Sequence, residues 1–290
     1  MLPETVRRAF PWILRAWWAA LPFTAGPALA DALAGAHPTV RTVASVGLWV
    51  GWAAGLGATL VPHPVALTAL RVLGPAAVVA AVAAAAAGEA ASALAVAWTA
   101  VAAALALAPD TAMVCANGPA YPNERRFLLR APGPLLLGPI ELAWAIAVTG
   151  VVAGPLLLAD RHWVLGAIAT VVGLPTAALL LRSLHQLSKR WAVFVPAGLV
   201  LVDPIGLTDS VLILRRQLRS LGPAPATTRA LDLTQRAPGL ALEVALSETL
   251  EVTVARPGRG PVDATKTDAV LFTPTLPGAL LEEARARRLA

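Results

Sequence analysis

The residues that could do chemistry in this chain of 290 residues are few and lie far apart. His37, His63, His162 and His185 lack the i, i+4 spacing with which two histidines on one helix hold a metal ion, and Cys115 is the single cysteine. The sequence also lacks the G-x-x-x-x-G-K-[ST] phosphate loop, the G-x-S-x-G nucleophile motif and the G-x-G-x-x-G dinucleotide motif. We therefore predict that the protein is not an enzyme and holds no cofactor and no metal ion.

The segment richest in polar residues is the loop at residues 109–134. It lies between two apolar runs and contains five prolines, so it is not one helix. Arginines beside a membrane attract anionic headgroups, and this loop is therefore our candidate binding site. The alternative is a loop whose cations only orient the chain in the membrane. The candidate residues are Asn117, Tyr121, Glu124, Arg125, Arg126 and Arg130.

Three more charged residues, Arg71, Asp110 and Glu141, lie near the ends of apolar runs. An ionisable side chain in lipid costs free energy and is a functional candidate by default. A proton or ion relay needs several such groups at mid-membrane depth, whereas residues near the ends of spans anchor helices at the interface. The positions favour anchoring, with Arg71 and Glu141 near the same end, where they could pair.

The composition predicts a membrane protein. Hydrophobic residues make up 57% of the chain and charged residues 14%, and the mean hydropathy is +0.69; soluble domains are about half apolar and about one-quarter charged. Charge is sparse between residues 16 and 181 and frequent after them. The net charge of +6 does not indicate nucleic-acid binding, because the arginines lie beside apolar runs and form no stripe with interleaved aromatic residues. The first partner of the chain is therefore the lipid bilayer.

A helix needs about 20 apolar residues to cross a hydrocarbon core of about 30 Å. On this measure residues 1–182 form an α-helical transmembrane bundle of about six spans. The first span is the weakest, because Pro22 and Pro27 lie inside it. Its alternative is a signal peptide at residues 1–30, since the sequence ending at Ala30 has the small-x-small pattern of a cleavage site. The predicted spans are residues 16–34, 42–61, 65–88, 90–108, 139–159 and 163–181.

The distribution of Lys and Arg predicts the orientation of these spans. With the N-terminus inside, ten of the cations lie at inner ends or in inner loops, and only Arg41 and Arg161 lie outside. We therefore expect a multi-pass protein of the bacterial plasma membrane with both termini in the cytoplasm.

Small residues predict close helix packing on the second span. Gly47, Gly51 and Gly55 recur at every fourth residue, so they share one face of the helix and let another backbone approach it. One interpretation is a seam between copies in a homo-oligomer. The other is packing inside this bundle, which already has many helix faces to close.

After a linker helix at residues 183–190, the pattern changes and predicts a soluble β-rich domain at residues 191–290. Residues 240–246 and 250–254 alternate between apolar and polar types, and we expect them to form a hairpin with its turn at residues 247–249. A helix at residues 277–289 closes the chain. Further strands are predicted at residues 191–195, 199–202, 211–214, 231–234 and 270–272.

Seven short strands followed by one helix, in about one hundred residues, resemble the order of a pleckstrin-homology (PH)-type barrel. The whole chain is similar to uncharacterised multi-spanning actinobacterial proteins that have a PH-like tail. This resemblance implies a small barrel with a closing helix and no known activity. The lipid site of PH domains is a basic loop between the first two strands, but here that turn is Pro196, Ala197 and Gly198, without a cation. The resemblance therefore implies no phosphoinositide site at this turn.

These observations lead to two hypotheses about function. The first is a membrane-anchored scaffold or regulator, whose cytoplasmic β domain at residues 191–290 binds a partner protein. The alternative is a transporter or channel for a small solute, which the proline-broken spans and the arginine-rich loop support. A water-filled cavity with deep carboxylates would favour transport, whereas a closely packed bundle would favour the scaffold.

Overall fold

The structure, a computed structural model, describes residues 4–87, 92–255 and 264–289. The chain forms two compact units. The helical unit comprises Met1–Gly118 and Glu141–His185, and the β unit comprises Pro119–Ile140 and Gln186–Ala290. The chain therefore passes between the two units three times.

The helical part of the chain contains nine helices within the described residues. Four of them, α4, α5, α8 and α9, are long and apolar enough to cross a membrane, and α6 and α7, which meet at 50°, pass the same test as a pair. By length and composition this gives four spans, or five if the bent pair is one span. The helices are α1 (Glu4–Ala19), α2 (Leu21–Thr24), α3 (Gly26–Ala32), α4 (Pro38–Leu60), α5 (Pro64–Ala86), α6 (Ser92–Leu107), α7 (Pro109–Asn117), α8 (Pro139–Ala159) and α9 (Trp163–Leu187).

The spans predicted at residues 42–61, 65–88, 139–159 and 163–181 coincide with α4, α5, α8 and α9. The span predicted at residues 90–108 coincides with α6, although residues 88–91 lie outside the described part of the chain. The continuation of α9 to Leu187 takes up most of the predicted linker helix. Hydropathy therefore located the long helices within a few residues.

The stretch predicted as the first span, residues 16–34, is not one continuous helix. The stretch contains the end of α1, all of α2 and all of α3. Pro22 and Pro27 lie in the first two positions of α2 and α3. Because proline has no N–H and its ring clashes with the preceding turn, the chain ends one helix and begins another at each proline.

Proline and histidine together start two of the long helices. Pro38 and Pro64 are the first residues of α4 and α5, where the fixed φ of proline suits a helix and its missing N–H is not needed. His37 and His63 are the N-caps: the ring Nδ1 of each accepts a hydrogen bond from the backbone N–H two residues on, at 3.3 and 3.2 Å. Two of the four scattered histidines are thus helix caps.

Tryptophans hold α1 against its neighbours. The Trp17 and Trp98 rings stack at 3.9 Å, and the indole N–H of each donates to the backbone carbonyl of the other at 3.0 Å. Trp18 and Trp52 also exchange hydrogen bonds: the indole N–H of each donates to the backbone carbonyl of the other, at 3.0 and 3.1 Å. Trp18 is buried against Gly55, where any Cβ would overlap its indole ring. These contacts pack α1 against α4 and α6.

Glycine also allows α8 and α9 to pack closely. A Cβ on Gly150 would lie 2.6 Å from the carbonyl oxygen of Gly173, and a Cβ on Gly173 would lie 2.7 Å from that of Gly150. Gly154 lies in the same way against Thr170. Most of the remaining surface of α9 is exposed and apolar, as expected for a helix that faces lipid.

The β unit contains two four-stranded sheets in its described residues, not one closed barrel. The first sheet has the order β1-β2-β3-β4 and the second β5-β7-β8-β6, and all neighbours are antiparallel except β6 and β8. A terminal helix, α10 (Pro277–Ala286), follows. The strands are β1 (Arg125–Leu128), β2 (Trp191–Val195), β3 (Gly198–Val202), β4 (Val211–Leu214), β5 (Leu218–Pro223), β6 (Leu231–Asp232), β7 (Leu242–Val252) and β8 (Thr265–Phe272).

Strand β1 comes from the segment that the sequence analysis treated as a loop between spans. It pairs with β2 in a register that sets Arg125 opposite Phe194. Phe127 on β1 is buried, and its ring meets that of Phe194 edge to face at 5.9 Å. The β unit therefore includes a strand from outside residues 191–290.

The hairpin predicted at residues 240–254 is wrong, because this stretch is the single long strand β7. Leu242, Val244 and Leu246 are buried in alternation, residues 247–249 are all exposed, and Val252 is buried again, without a reversal of the chain between them. The expected turn instead forms an irregularity in the pairing with β8. Ser, Glu and Thr at residues 247–249 include none of the Gly, Asn or Pro residues that a tight turn favours.

Candidate functional site

Two of the candidate loop residues, Glu124 and Arg126, form an ion pair. The Arg126 Nε and Nη2 atoms donate to the two carboxylate oxygens at 3.0 and 3.2 Å, and the guanidinium lies 4.7 Å from the Trp191 ring centroid. The hydrogen bonds from Arg126 lower the pKa of the Glu124 carboxyl, and the Tyr121 backbone N–H adds to this, while partial burial opposes it. Arg126 therefore stabilises the start of β1 through its contacts with Glu124 and Trp191.

The other candidates of this loop do not gather into a pocket. Arg125 is exposed on β1, and the Tyr121 side chain is 79% exposed. Asn117 is the last residue of α7, in the helical unit, and its side-chain amide donates to the Met113 carbonyl at 2.9 Å. The structure therefore distributes the predicted site over several surfaces.

Arg130 makes its hydrogen bonds to residues in the interior of the β unit. Its backbone N–H donates to the Thr273 carbonyl at 2.9 Å, and its carbonyl accepts a bond from Arg190 Nη1 at 2.5 Å. Its side chain lies against Gly239, where a Cβ would be 2.9 Å from Arg130 Nε. The role of Arg130 is therefore to join the segment after β1 to the core.

The centre of this interior is an ion pair that the sequence analysis missed. The Arg190 Nε and Nη2 atoms donate to the Asp203 carboxylate at 2.8 and 2.7 Å, and both side chains are at most 4% exposed. Asp203 also accepts from the backbone N–H groups of Ile205 and Gly206, each at 3.1 Å, and from Gln235 Nε2 at 2.9 Å. We name Arg190, Asp203 and Gln235 the buried polar cluster.

Backbone geometry around the buried polar cluster is demanding. Gln235 and Arg236 have positive φ angles of 54° and 58°, and Gly239 has a φ of 114°. A side chain at Gly206 would overlap the Gln235 amide. Every donor and acceptor named in the cluster has a partner, so it locks four chain segments together; it exposes no reactive group.

The three charged residues near the predicted spans do not converge. Arg71 is half-buried on α5, Asp110 lies in the first turn of α7, and Glu141 is exposed in the first turn of α8. The described side chains of Arg71 and Glu141 form no ion pair with each other. Both carboxylates lie at helix N-termini, where the helix dipole favours negative charge. Their positions fit the anchoring interpretation.

The described part of the helical unit has a small cavity and an open cleft. One, of about 10 Å³, is lined by residues of α1, α4, α5 and α7 such as Leu14 and Cys115, and it has room for about one water molecule. The other is an open cleft of about 460 Å³ between His37 and Asp160, with apolar walls that include Val40 and Leu156.

The remaining two histidines also have neighbours. His185 Nδ1 lies 2.8 Å from Thr68 Oγ1, and His162 Nε2 lies 3.3 Å from Asp160 at the exposed end of α8. Among the residues that the structure describes, no three His, Cys, Asp or Glu side chains come together to hold a metal ion.

Comparisons with protein-family models, with curated proteins and with solved structures give no match.

Proposed function

We propose that the protein is a membrane-anchored scaffold or regulator, in which a multi-pass helical unit carries a β unit that binds a partner protein in the cytoplasm. The observation that carries the proposal is the origin of β1. Strand β1 precedes α8 and pairs with β2, which follows α9, so two candidate membrane helices lie along the chain between two paired strands of the β unit.

This arrangement supports a fixed attachment of the β unit. A tail is joined by one linker, whereas the β unit is joined to the helical unit by three chain connections, two that enter it and one that leaves it. It also supports the predicted topology. The ends of α8 and α9 that join β1 and β2 must lie on one side of the membrane, so these helices make two crossings. The positive-inside distribution favours the cytoplasm for that side.

The β unit has an exposed edge that suits a partner. Strand β4 is the last strand of the first sheet in the described residues, and Leu212 on it is 43% exposed. A free strand edge offers unpaired N–H and C=O groups to an extended segment of another protein.

Transport of a small solute is the second candidate. The 50° bend between α6 and α7 and the division of the first segment into α1, α2 and α3 favour it, because broken helices are common at transporter binding sites. The polar residues expected to line a path, Arg71, Asp110 and Glu141, lie apart. We therefore prefer the scaffold.

Site-specific photo-crosslinking of the full chain in its native membrane tests the proposal. A photoreactive residue at position 212 is expected to give a discrete protein adduct, and one at Val171, exposed on α9, is expected to give lipid or self adducts. Phe127→Ala should greatly reduce the adduct from position 212, because loss of this buried ring costs about 3–5 kcal/mol and loosens the first sheet. If position 212 gives no adduct above background, or if Phe127→Ala leaves it unchanged, the scaffold proposal is wrong.

A further inference from the structure

One end of the first sheet collects arginines that are distant in sequence. In the sheet register Arg125 pairs with Phe194, and Gly198 pairs with Leu214. The start of β1, the turn between β2 and β3, and the end of β4 are therefore at the same end. Arg125 begins β1, and Arg215 and Arg216 follow β4 directly.

The C-terminal end of α10 is attached to this same end of the sheet. Arg287 Nη1 donates to the Asn123 carbonyl at 3.0 Å, and its guanidinium lies 5.7 Å from the Phe194 ring centroid. Arg215 Nη2 donates to the Arg287 carbonyl at 2.6 Å. Leu289, which follows these arginines, is buried. We define the arginine face by its residues: Arg125, Arg215, Arg216, Arg285, Arg287 and Arg288.

The arginine face has an excess of exposed positive charge. Five of its arginines are exposed, and Arg287, which pairs with Glu283 at 2.6 Å, is half-buried. The other nearby carboxylates are those of Glu282 on α10 and Glu248, next to the Ser247 hydroxyl that donates to the Arg216 carbonyl. Glu124, which precedes Arg125, is paired with Arg126, so the region as a whole holds seven cations and four carboxylates. The β unit as a whole has 16 Lys and Arg against 11 Asp and Glu, most of the net charge of +6.

We propose that the arginine face binds the phosphates of anionic membrane lipids. Guanidinium groups match phosphate oxygens in pairs, and a cluster of arginines provides several such contacts. The connection to the membrane spans is short, because residues 119–122 alone separate Asn123 from Gly118, where the helical unit ends. Only a short stretch of chain therefore separates the arginine face from helices that are candidates to lie among lipids, whose phosphates are anionic. An acidic protein could also meet such a face, and the test separates the two.

The test uses the full chain in a neutral detergent and two variants of equal charge. The first is Arg216→Gln, Arg285→Gln and Arg288→Gln, which removes exposed arginines from the face. The matched control is Arg229→Gln, Arg236→Gln and Lys266→Gln, which removes three exposed cations elsewhere on the β unit. Each protein is titrated with phosphatidylglycerol and with phosphatidylcholine, and bound lipid is counted by native mass spectrometry.

We expect wild type and control to bind phosphatidylglycerol more tightly than phosphatidylcholine. An arginine near a membrane surface contributes about a fivefold factor, so the face variant should lose roughly 100-fold at low ionic strength, and this loss should shrink as salt is added. Thermal unfolding of each variant shows that the fold is kept.

Three results would overturn the proposal. Equal losses in the face variant and the control would show a general charge effect. Displacement of phosphatidylglycerol by millimolar inorganic phosphate would assign the arginine face to a soluble phosphate ligand. Unchanged lipid binding, with loss of a photo-crosslinked protein adduct in the face variant alone, would assign the face to an acidic protein.

Discussion

Replacement of Asp203 by Asn tests whether the buried polar cluster holds the β unit together. The substitution keeps the shape of the side chain and removes its charge. Asp203 accepts two bonds from Arg190, two from backbone N–H groups and one from Gln235. An asparagine side chain has one acceptor oxygen and an NH₂ group, so some of these donors would lose their acceptor.

The cost follows from the burial of Arg190, whose side chain is 1% exposed. Breaking a buried ion pair leaves an unpaired charge in the interior, which typically costs about 3–5 kcal/mol. Since about 1.4 kcal/mol is a factor of ten, the opening of the surrounding structure should become roughly 100- to 4,000-fold more frequent. The double variant Arg190→Met with Asp203→Asn removes both charges, and we expect it to recover part of this loss.

Hydrogen exchange of the full chain, followed by mass spectrometry, measures the opening. Peptides that cover β2 and β3 should exchange faster in Asp203→Asn, and so should the peptide that contains Arg130, because Arg190 donates to the Arg130 carbonyl. The exposed pair Lys266 and Glu251 provides a control: Glu251→Gln should change stability by less than about 1 kcal/mol. The reasoning fails if Asp203→Asn and Glu251→Gln give the same exchange, or if the Arg130 peptide alone is unaffected.

Two further predictions concern other parts of the molecule. Gly55→Ala should lower the thermal unfolding midpoint in detergent, because the new Cβ would overlap the Trp18 ring, at a cost of about 1–3 kcal/mol or more. The control is Gly47→Ala, whose Cβ meets open space and should leave the midpoint unchanged or raise it. Equal shifts of the midpoint in the two variants would contradict this packing. For Glu124, the folded pKa is lowered by Arg126, so its stabilising effect is present above the ordinary glutamate pKa of about 4.3 and is lost as the pH falls through the lower folded pKa. The stability difference between wild type and Glu124→Gln should therefore shrink on acidification below about pH 4, and a difference that stays constant to pH 2 would refute the assignment.

The elements that were predictable are those whose signal lies in one stretch of sequence. Hydropathy located α4, α5, α8 and α9, because lipid requires an unbroken apolar run of about 20 residues. Strands β2 and β4 match the predicted residues 191–195 and 211–214, each of which is a short apolar run between polar or turn residues. The residues of β2 and β4 alone are therefore enough to recognise them as strands.

The features that were missed depend on partners far along the chain. Strand β1 has only four residues, and nothing near it shows that its partner begins at Trp191. Arg190 follows an apolar span closely, as a cation of the inner membrane face would, whereas the structure buries it against Asp203. An arginine or an aspartate looks the same in a sequence whether it is exposed on the surface or buried in an ion pair. The sequence alone therefore could not show that Arg190 and Asp203 are buried.

The position of β1 also has a consequence for the biosynthesis of the protein. The ribosome produces β1 before α8 and α9, and its hydrogen-bonding partner β2 emerges only after both helices. Until then β1 has an unpaired edge, and the nascent β unit lacks its first neighbour. Completion of the first sheet must therefore wait until α8 and α9 have been synthesised. A recombinant fragment that begins at Trp191 would lack one edge of this sheet, and the natural folding unit begins at the segment before β1.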